Sequence, residues 1–81
     1  MNKKDVCECV LEVVRNISEI DDITSETHTD DVMLDSIGWM SCLVAIEKKL
    51  GCAIDPKVFF SSCNTSIGAL CDSLMKYFNI I

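Results

Sequence analysis

At 81 residues the chain has material for one core and one domain spanning 1–81, because a unit this small buries only roughly 60–65% of its unfolded surface. Apolar residues make up 49% and charged residues 25%, a balance that excludes a disordered chain. With 13 acidic against 7 basic residues and a formal charge of −6, the field repels phosphate backbones and anionic lipid headgroups, so the expected partners are basic protein surfaces and not nucleic acid.

The N-terminal segment Met1-Asn2-Lys3-Lys4-Asp5 leads into a charge-broken stretch rather than a signal-peptide core, and no apolar run approaches the roughly 20 residues that cross a bilayer. No membrane insertion and a cytoplasmic location are expected. From Lys4 to about Ile17, the residues Val6, Val10, Val13, Val14 and Ile17 recur at spacings of three and four, with Glu8, Glu12, Arg15 and Asn16 largely elsewhere. That period predicts an amphipathic first helix, capped by Asn2 or Asp5.

Residues 18 to 35 change character. Ser, Thr and Asp dominate, Asp21-Asp22 and Asp30-Asp31 are paired charges, and Ile20, Ile23 and Val32 are isolated apolar anchors. The segment reads as a long ordered loop. A structureless connection longer than about 12–15 residues is uncommon in a compact domain and usually functional, which directs attention to its exit at Asp35. His28, between Thr27 and Thr29, is expected to be solvated.

A second helix is predicted from Ser36 to Leu50, with Asp35 or Ser36 as its cap and Gly51 where a left-handed residue ends helices. Asp55-Pro56 suits a cap followed by a first-turn proline, so Pro56 to about Ser61 reads as a short helix presenting Val58, Phe59 and Phe60. The last helix starts after Thr65 or Ser66. Its inward stripe is Ile67, Leu70, Leu74, Tyr77 and Phe78, or Cys71 with Phe78, and the terminal Ile80-Ile81 frays or tucks against the bundle. No strand alternation is present, so the fold class is all-α: a four-helix bundle of three main helices and a short one.

The second helix carries more apolar surface than one interface needs. At 100° per residue, Trp39, Leu43, Ile46 and Leu50 share an arc of about 60° that suffices as a core face, with Trp39 read as core. Ile37, Met40 and Val44 form a second arc about 100° away. Either two neighbouring helices cover this helix, or the second arc is a docking face, flanked by Glu47 and Lys48, on which Met40 supplies an adaptable contact. Ser36 lies at the N-terminal edge of that arc. It serves as a helix cap, and its hydroxyl also lies where an attached phosphate meets free N–H groups and the positive end of the helix dipole.

Other chemistries fit poorly. The six cysteines, Cys7, Cys9, Cys42, Cys52, Cys63 and Cys71, contain no C-x-x-C pair, and Cys7 and Cys9 point about 160° apart on a helix, so no metal site is expected. They read as reduced, mostly structural thiols. A serine-dependent enzyme lacks its elements, since Leu34 stands where a G-x-S-x-G elbow has its first glycine, no strand precedes Ser36, and His28 is the only histidine. No catalytic residue is therefore assigned. Asp21, Asp22, Asp30 and Asp31 do not follow the spacing of a calcium loop.

The segment Leu34-Asp35-Ser36-Ile37-Gly38, followed by the helix from Trp39 to Leu50 and Gly51, resembles the signature of the acyl carrier protein family, an Asp-Ser-Leu-like triplet opening an amphipathic helix. The resemblance extends over nearly the whole chain, through the acidic loop, the Ile54-Asp55-Pro56 segment and the Thr65-Ser66-Ile67 start of the last helix. It implies an acyl-carrier-like bundle whose Ser36 receives 4′-phosphopantetheine from coenzyme A through a phosphopantetheinyl transferase. Asp35 would help present Ser36 to that enzyme and its metal, and the second helix would dock successive partners: an acyl-loading or adenylating enzyme, then downstream synthase enzymes. The arm's thiol would hold an acyl or aminoacyl group as a thioester for fatty acid, polyketide or related biosynthesis, with the carrier a working monomer.

Three departures bear on the pathway. Ile37 replaces the commonest Leu, Gly38 removes a side chain that is often acidic in fatty-acid carriers, and Lys48-Lys49 stands where those carriers are strongly acidic. A dedicated aminoacyl, D-alanyl or nonribosomal-peptide carrier is the alternative within the family. From a different class, an unmodified helical interaction module, switched by phosphorylation of Ser36, uses the same exposed serine. Cargo size would be set among Val32, Ile54, Phe59 and Leu70, and the cargo itself by the loading enzyme.

Overall fold

The computed structural model describes the backbone of residues 2–80 and side chains as far as Phe78. Helix α1 spans Lys3–Ser18, one residue longer at each end than the apolar period indicates. Its cap is Asn2, whose side-chain oxygen accepts the Asp5 N–H at 2.9 Å. The chain leaves α1 through Glu19, which takes a left-handed conformation and donates its N–H to the Arg15 carbonyl. Val6, Cys9, Val10, Val13 and Val14 form the buried face; Ile17, at the exit, is half-buried.

The following connection is not one uninterrupted loop. A 3₁₀ turn over Thr29–Val32 divides it, a feature without a hydrophobic period and therefore silent in the sequence. His28 is not simply solvated: its Nδ1 accepts the Asp30 N–H at 3.1 Å and caps that turn. Ile23 and Val32 are buried as expected, whereas Ile20 is half-buried. The Arg15 guanidinium donates to the Ile23 carbonyl from Nε at 2.9 Å and Nη2 at 2.6 Å, which holds the loop on α1. On the other side, Thr29 N–H donates to the Thr65 carbonyl, and the Ile67 and Gly68 N–H groups donate to the Thr27 and Ser25 carbonyls. Three of the loop's backbone groups are thus satisfied against the start of the last helix, which helps order the segment without regular structure.

Helix α2 spans Ser36–Leu50, helix α3 Pro56–Ser61, and helix α4 Ile67–Ile80. Gly51 ends α2 at φ 70°, a conformation that costs glycine nothing. Asp55 caps α3 by accepting the Lys57 N–H at 2.9 Å, and Ser66 caps α4 by accepting the Ala69 N–H at 3.2 Å. Helix α1 packs against α2 and α4, and α3 packs against α4. Among the described residues there is no strand; an isolated bridge joins His28 to Ser66. No described helix is long and apolar enough to cross a membrane.

The core gathers the α1 valines with Cys42, Leu43, Ile46, Ile54, Phe59, Ile67, Leu70, Cys71 and Leu74. Trp39 belongs to it, 7% exposed, with its ring centroid 6.3 Å from that of Phe59 in a tilted pair. Val32, Ile54, Phe59 and Leu70 are all packed in this core. The inward stripe of α4 is complete only through Leu74. Tyr77 and Phe78 are half-buried and pack edge-on against each other, with Phe78 against the margin of the core. The side chains of Ile80 and Ile81 lie outside the described residues.

Candidate functional site

The acidic loop delivers the chain to α2 through Leu34 and Asp35, and local geometry sets how Ser36 is shown to solvent. Asp35, not Ser36, is the cap: its Oδ1 accepts the Gly38 N–H at 2.7 Å and its carbonyl accepts the Trp39 N–H at 3.0 Å. Ser36 is left as the first helical residue, exposed, with its hydroxyl engaged by nothing among the described residues. Gly38 has a structural reason: a Cβ there would lie 3.0 Å from Leu34 Cδ2 and 3.4 Å from Asp35 Oδ1. The missing side chain leaves room for Leu34 beside the helix start.

The two apolar arcs of α2 separate cleanly. Trp39, Cys42, Leu43 and Ile46 face the core, whereas Ile37 is 75% exposed and Met40 and Val44 are each 43% exposed. No second helix among the described residues covers the outer arc. A surface groove of about 680 Å³ runs along it, from Ser36 and Ile37 past Met40 and Val44 to Lys48, with Phe60 of α3 on the opposite side. Twelve residues of helix separate Ser36 from Lys48, a run of about 18 Å.

Five of the residues singled out in the sequence, Ser36, Ile37, Met40, Val44 and Lys48, therefore line one groove, with Asp35 at its head. Glu47 does not join them. Its Oε2 accepts the Ile54 N–H at 2.8 Å, because its helical phase turns it toward the connection to α3 rather than toward the groove. Lys49 is also spent within the fold, 2.6 Å from Glu12 Oε1 on α1, so Lys48 alone of the lysine pair faces the groove. Sequence reasoning missed Phe60 as a groove wall and Met33 altogether. The half-buried phase of Phe60 depends on how α3 sits on α4, and the left-handed backbone of Met33, φ 64°, leaves no sequence mark in a non-glycine residue.

The cysteines stand apart from this face. All six are free thiols. Burial pushes the Cys42 thiol up to about 12 and that of Cys63 up to about 11. Cys71 is also raised, by burial and by its hydrogen bond with Cys7, and Cys9 by burial. These are protonated, poorly nucleophilic groups at neutral pH. Among the described residues no cluster of histidine, cysteine and carboxylate side chains could hold a metal ion.

The chemistry open to the site is attachment. The first N–H groups of α2, those of Ser36 and Ile37, have no hydrogen-bond acceptor among the described residues, as expected at a helix start. A phosphodiester on Ser36 Oγ fits here, where those groups and the positive end of the helix dipole oppose its charge. Asp35 has one oxygen committed to the cap; its Oδ2 has no hydrogen-bond partner among the described residues.

Comparison with known families gives the same direction. The family model described as phosphopantetheine attachment site matches residues 4–74, from the first turn of α1 to the last fully buried residue of α4. No curated protein and no solved structure matches the chain.

Proposed function

The chain belongs to the phosphopantetheine attachment family, and on that premise we propose that Ser36 is the residue that carries the arm and that the protein presents a thioester-bound acyl or aminoacyl group to partner enzymes. The observation that carries this is the exposed Ser36 hydroxyl at the capped start of α2, opening directly onto an apolar groove that no other helix among the described residues covers.

In this reading the protein does no bond chemistry of its own. The 4′-phosphopantetheine arm, when attached, supplies a thiol whose thioester is more electrophilic than an oxygen ester. The chain's own residues hold the attachment point, oppose the phosphate charge with the N-terminal amides of α2, and offer Ile37, Met40 and Val44 as an apolar docking strip with Lys48 at its far end. Loading, condensation or transfer then falls to partners, and tethering raises the effective concentration of the cargo at their sites. The setting is the cytoplasm, with the carrier acting as a monomer.

Within that reading, one feature favours a specialised acyl, aminoacyl or D-alanyl pathway over general fatty acid synthesis. The only carboxylate on α2 is Glu47, and it is bonded to Ile54 N–H. A partner that reads a second helix lined with acids finds an apolar strip and a lysine here.

Incubation of the purified chain with coenzyme A and a broad-specificity phosphopantetheinyl transferase, followed by intact-protein mass, tests the assignment. The native chain should gain one arm and Ser36→Ala none. A folded native chain left unmodified by several transferases would instead favour the unmodified helical interaction module.

A further inference from the structure

Met33 combines two features that each work against stability. It is the most exposed of the large apolar side chains among the described residues, at 85%, and its backbone is left-handed at φ 64° and ψ 32°, a region that L side chains rarely adopt. Neither is compensated by a hydrogen bond from its own N–H. A strained, solvent-facing hydrophobe three residues before the attachment serine points to a role outside the fold.

Its surroundings define what it would meet. Ile37, also exposed, follows Ser36 directly, so the hydroxyl stands between two apolar side chains on a short stretch of chain. Asp30, Asp31 and Asp35 are exposed around it. From residue 16 to residue 47 the sequence contains no lysine or arginine, and the nearest arginine, Arg15, is committed to the Ile23 carbonyl. The segment that bears Ser36 is thus apolar and acidic, whereas Lys48 stands at the far end of the groove.

We infer that Met33 is a docking residue for the transferase that must cover Ser36, whose surface there has an apolar pocket for Met33 and Ile37 and lysine or arginine side chains opposite Asp30, Asp31 and Asp35. The inference rests on the reading that Ser36 accepts the arm. It adds a contact on the loop side of the serine, away from the α2 groove, and a charge for the partner.

Transfer kinetics with coenzyme A and a broad-specificity transferase, on the native chain and on Met33→Asn, Met33→Gly and Met33→Leu, test it. Asparagine and glycine tolerate the left-handed backbone but remove the apolar side chain. Both should raise the KM for the carrier about tenfold, equivalent to about 1.4 kcal/mol, with kcat within about twofold and a thermal midpoint equal to or above native. Met33→Leu should transfer like the native chain. Added salt should raise the native KM and move an Asp30→Asn, Asp31→Asn double variant less.

Native-like KM values for Met33→Asn and Met33→Gly would overturn the inference, as would a native KM indifferent to salt. So would a native dimer that Met33→Asn dissolves, since the patch would then belong to a second copy. A native chain that accepts no arm at all removes the underlying reading and this inference with it, an outcome separate from the others because it precedes any comparison of variants.

Discussion

Glu47 Oε2 accepts the Ile54 N–H at 2.8 Å, and this single bond closes the turn between α2 and α3. Ile54 is 3% exposed, so its amide relies on the carboxylate for a partner. The bond ties the end of α2 to the residue just before the Asp55 cap of α3, the helix whose Phe60 lines the groove across from Met40 and Val44.

Glu47→Ala should therefore lower stability by about 1–3 kcal/mol, the usual cost of orphaning a buried donor, while Glu47→Gln, which keeps an acceptor oxygen, should lose less. Denaturant unfolding reads both. The transferase KM should stay within about twofold of native, because Glu47 points into the fold and not at a partner. A stable Glu47→Ala with impaired transfer would return the residue to the docking face.

At Gly68 backbone meets backbone closely. Its N–H donates to the Ser25 carbonyl at 2.7 Å, and a Cβ at the same residue would lie 3.1 Å from that oxygen. Alanine brings a helix preference of up to about 1 kcal/mol, but it must push a carbonyl held in place by this bond and by the neighbouring Thr27 and Thr29 pairings. Gly68→Ala should come out about 1 kcal/mol less stable, with an unchanged urea m-value. A gain in stability would mean that the acidic loop yields freely at this point.

These two contacts mark the boundary of what the sequence makes legible. Helices α2 and α3 announce their limits through Asp35, Gly51, Asp55 and Pro56, because caps and breakers act locally on the backbone. The apolar strip of Ile37, Met40 and Val44 is legible as a surplus over the core face. What covers it is not, since periodicity records how much surface is apolar and not which neighbours are present. Glu47 illustrates the same limit: its phase borders the strip, and only the tertiary position of Ile54 decides where the carboxylate goes. The turn at Thr29–Val32 is tied to the start of α4 by the Thr29 N–H on the Thr65 carbonyl, a pairing 36 residues apart that no local residue pattern records.

The buried thiols give the fold a pH dependence of definite sign. From an ordinary value of 9.0, burial raises Cys42 to about 12 and Cys63 to about 11. Below about pH 8 both folded and unfolded chains keep these protons, and the thiols' contribution is fully present. As pH rises through 9.0 toward about 11 and 12, the unfolded chain ionises first, binds fewer protons than the folded one, and stability falls. Thermal melts in reducing buffer should hold steady near neutrality and decline in that alkaline window. The Lys3–Asp72 and Lys49–Glu12 bridges weaken there too as the lysines lose charge, so the comparison that isolates the thiol is native against Cys42→Ala. The variant should show a shallower decline, and equal slopes would mean that Cys42 ionises as readily folded as unfolded.

Asp35 has one duty in the fold and a second that is proposed for it. One is structural: Oδ1 accepts the Gly38 N–H at 2.7 Å and opens α2. The other is the one proposed for catalysis by the partner, in which the remaining carboxylate oxygen helps present Ser36 to the transferase and its metal. Asparagine caps a helix about as well as aspartate and forfeits only the charge's interaction with the dipole, about 0.3–1 kcal/mol. Asp35→Asn should therefore stay within about 1 kcal/mol of native stability while its transfer efficiency falls by about tenfold or more, the scale of a lost charged contact. Asp35→Ala should lose both, with a further stability cost of about 1 kcal/mol from the missing cap. Measuring unfolding and arm transfer on the same three proteins separates the duties. If Asp35→Asn accepts the arm as fast as the native chain, the carboxylate serves the helix alone, and Ser36 is presented by its position at the head of the groove.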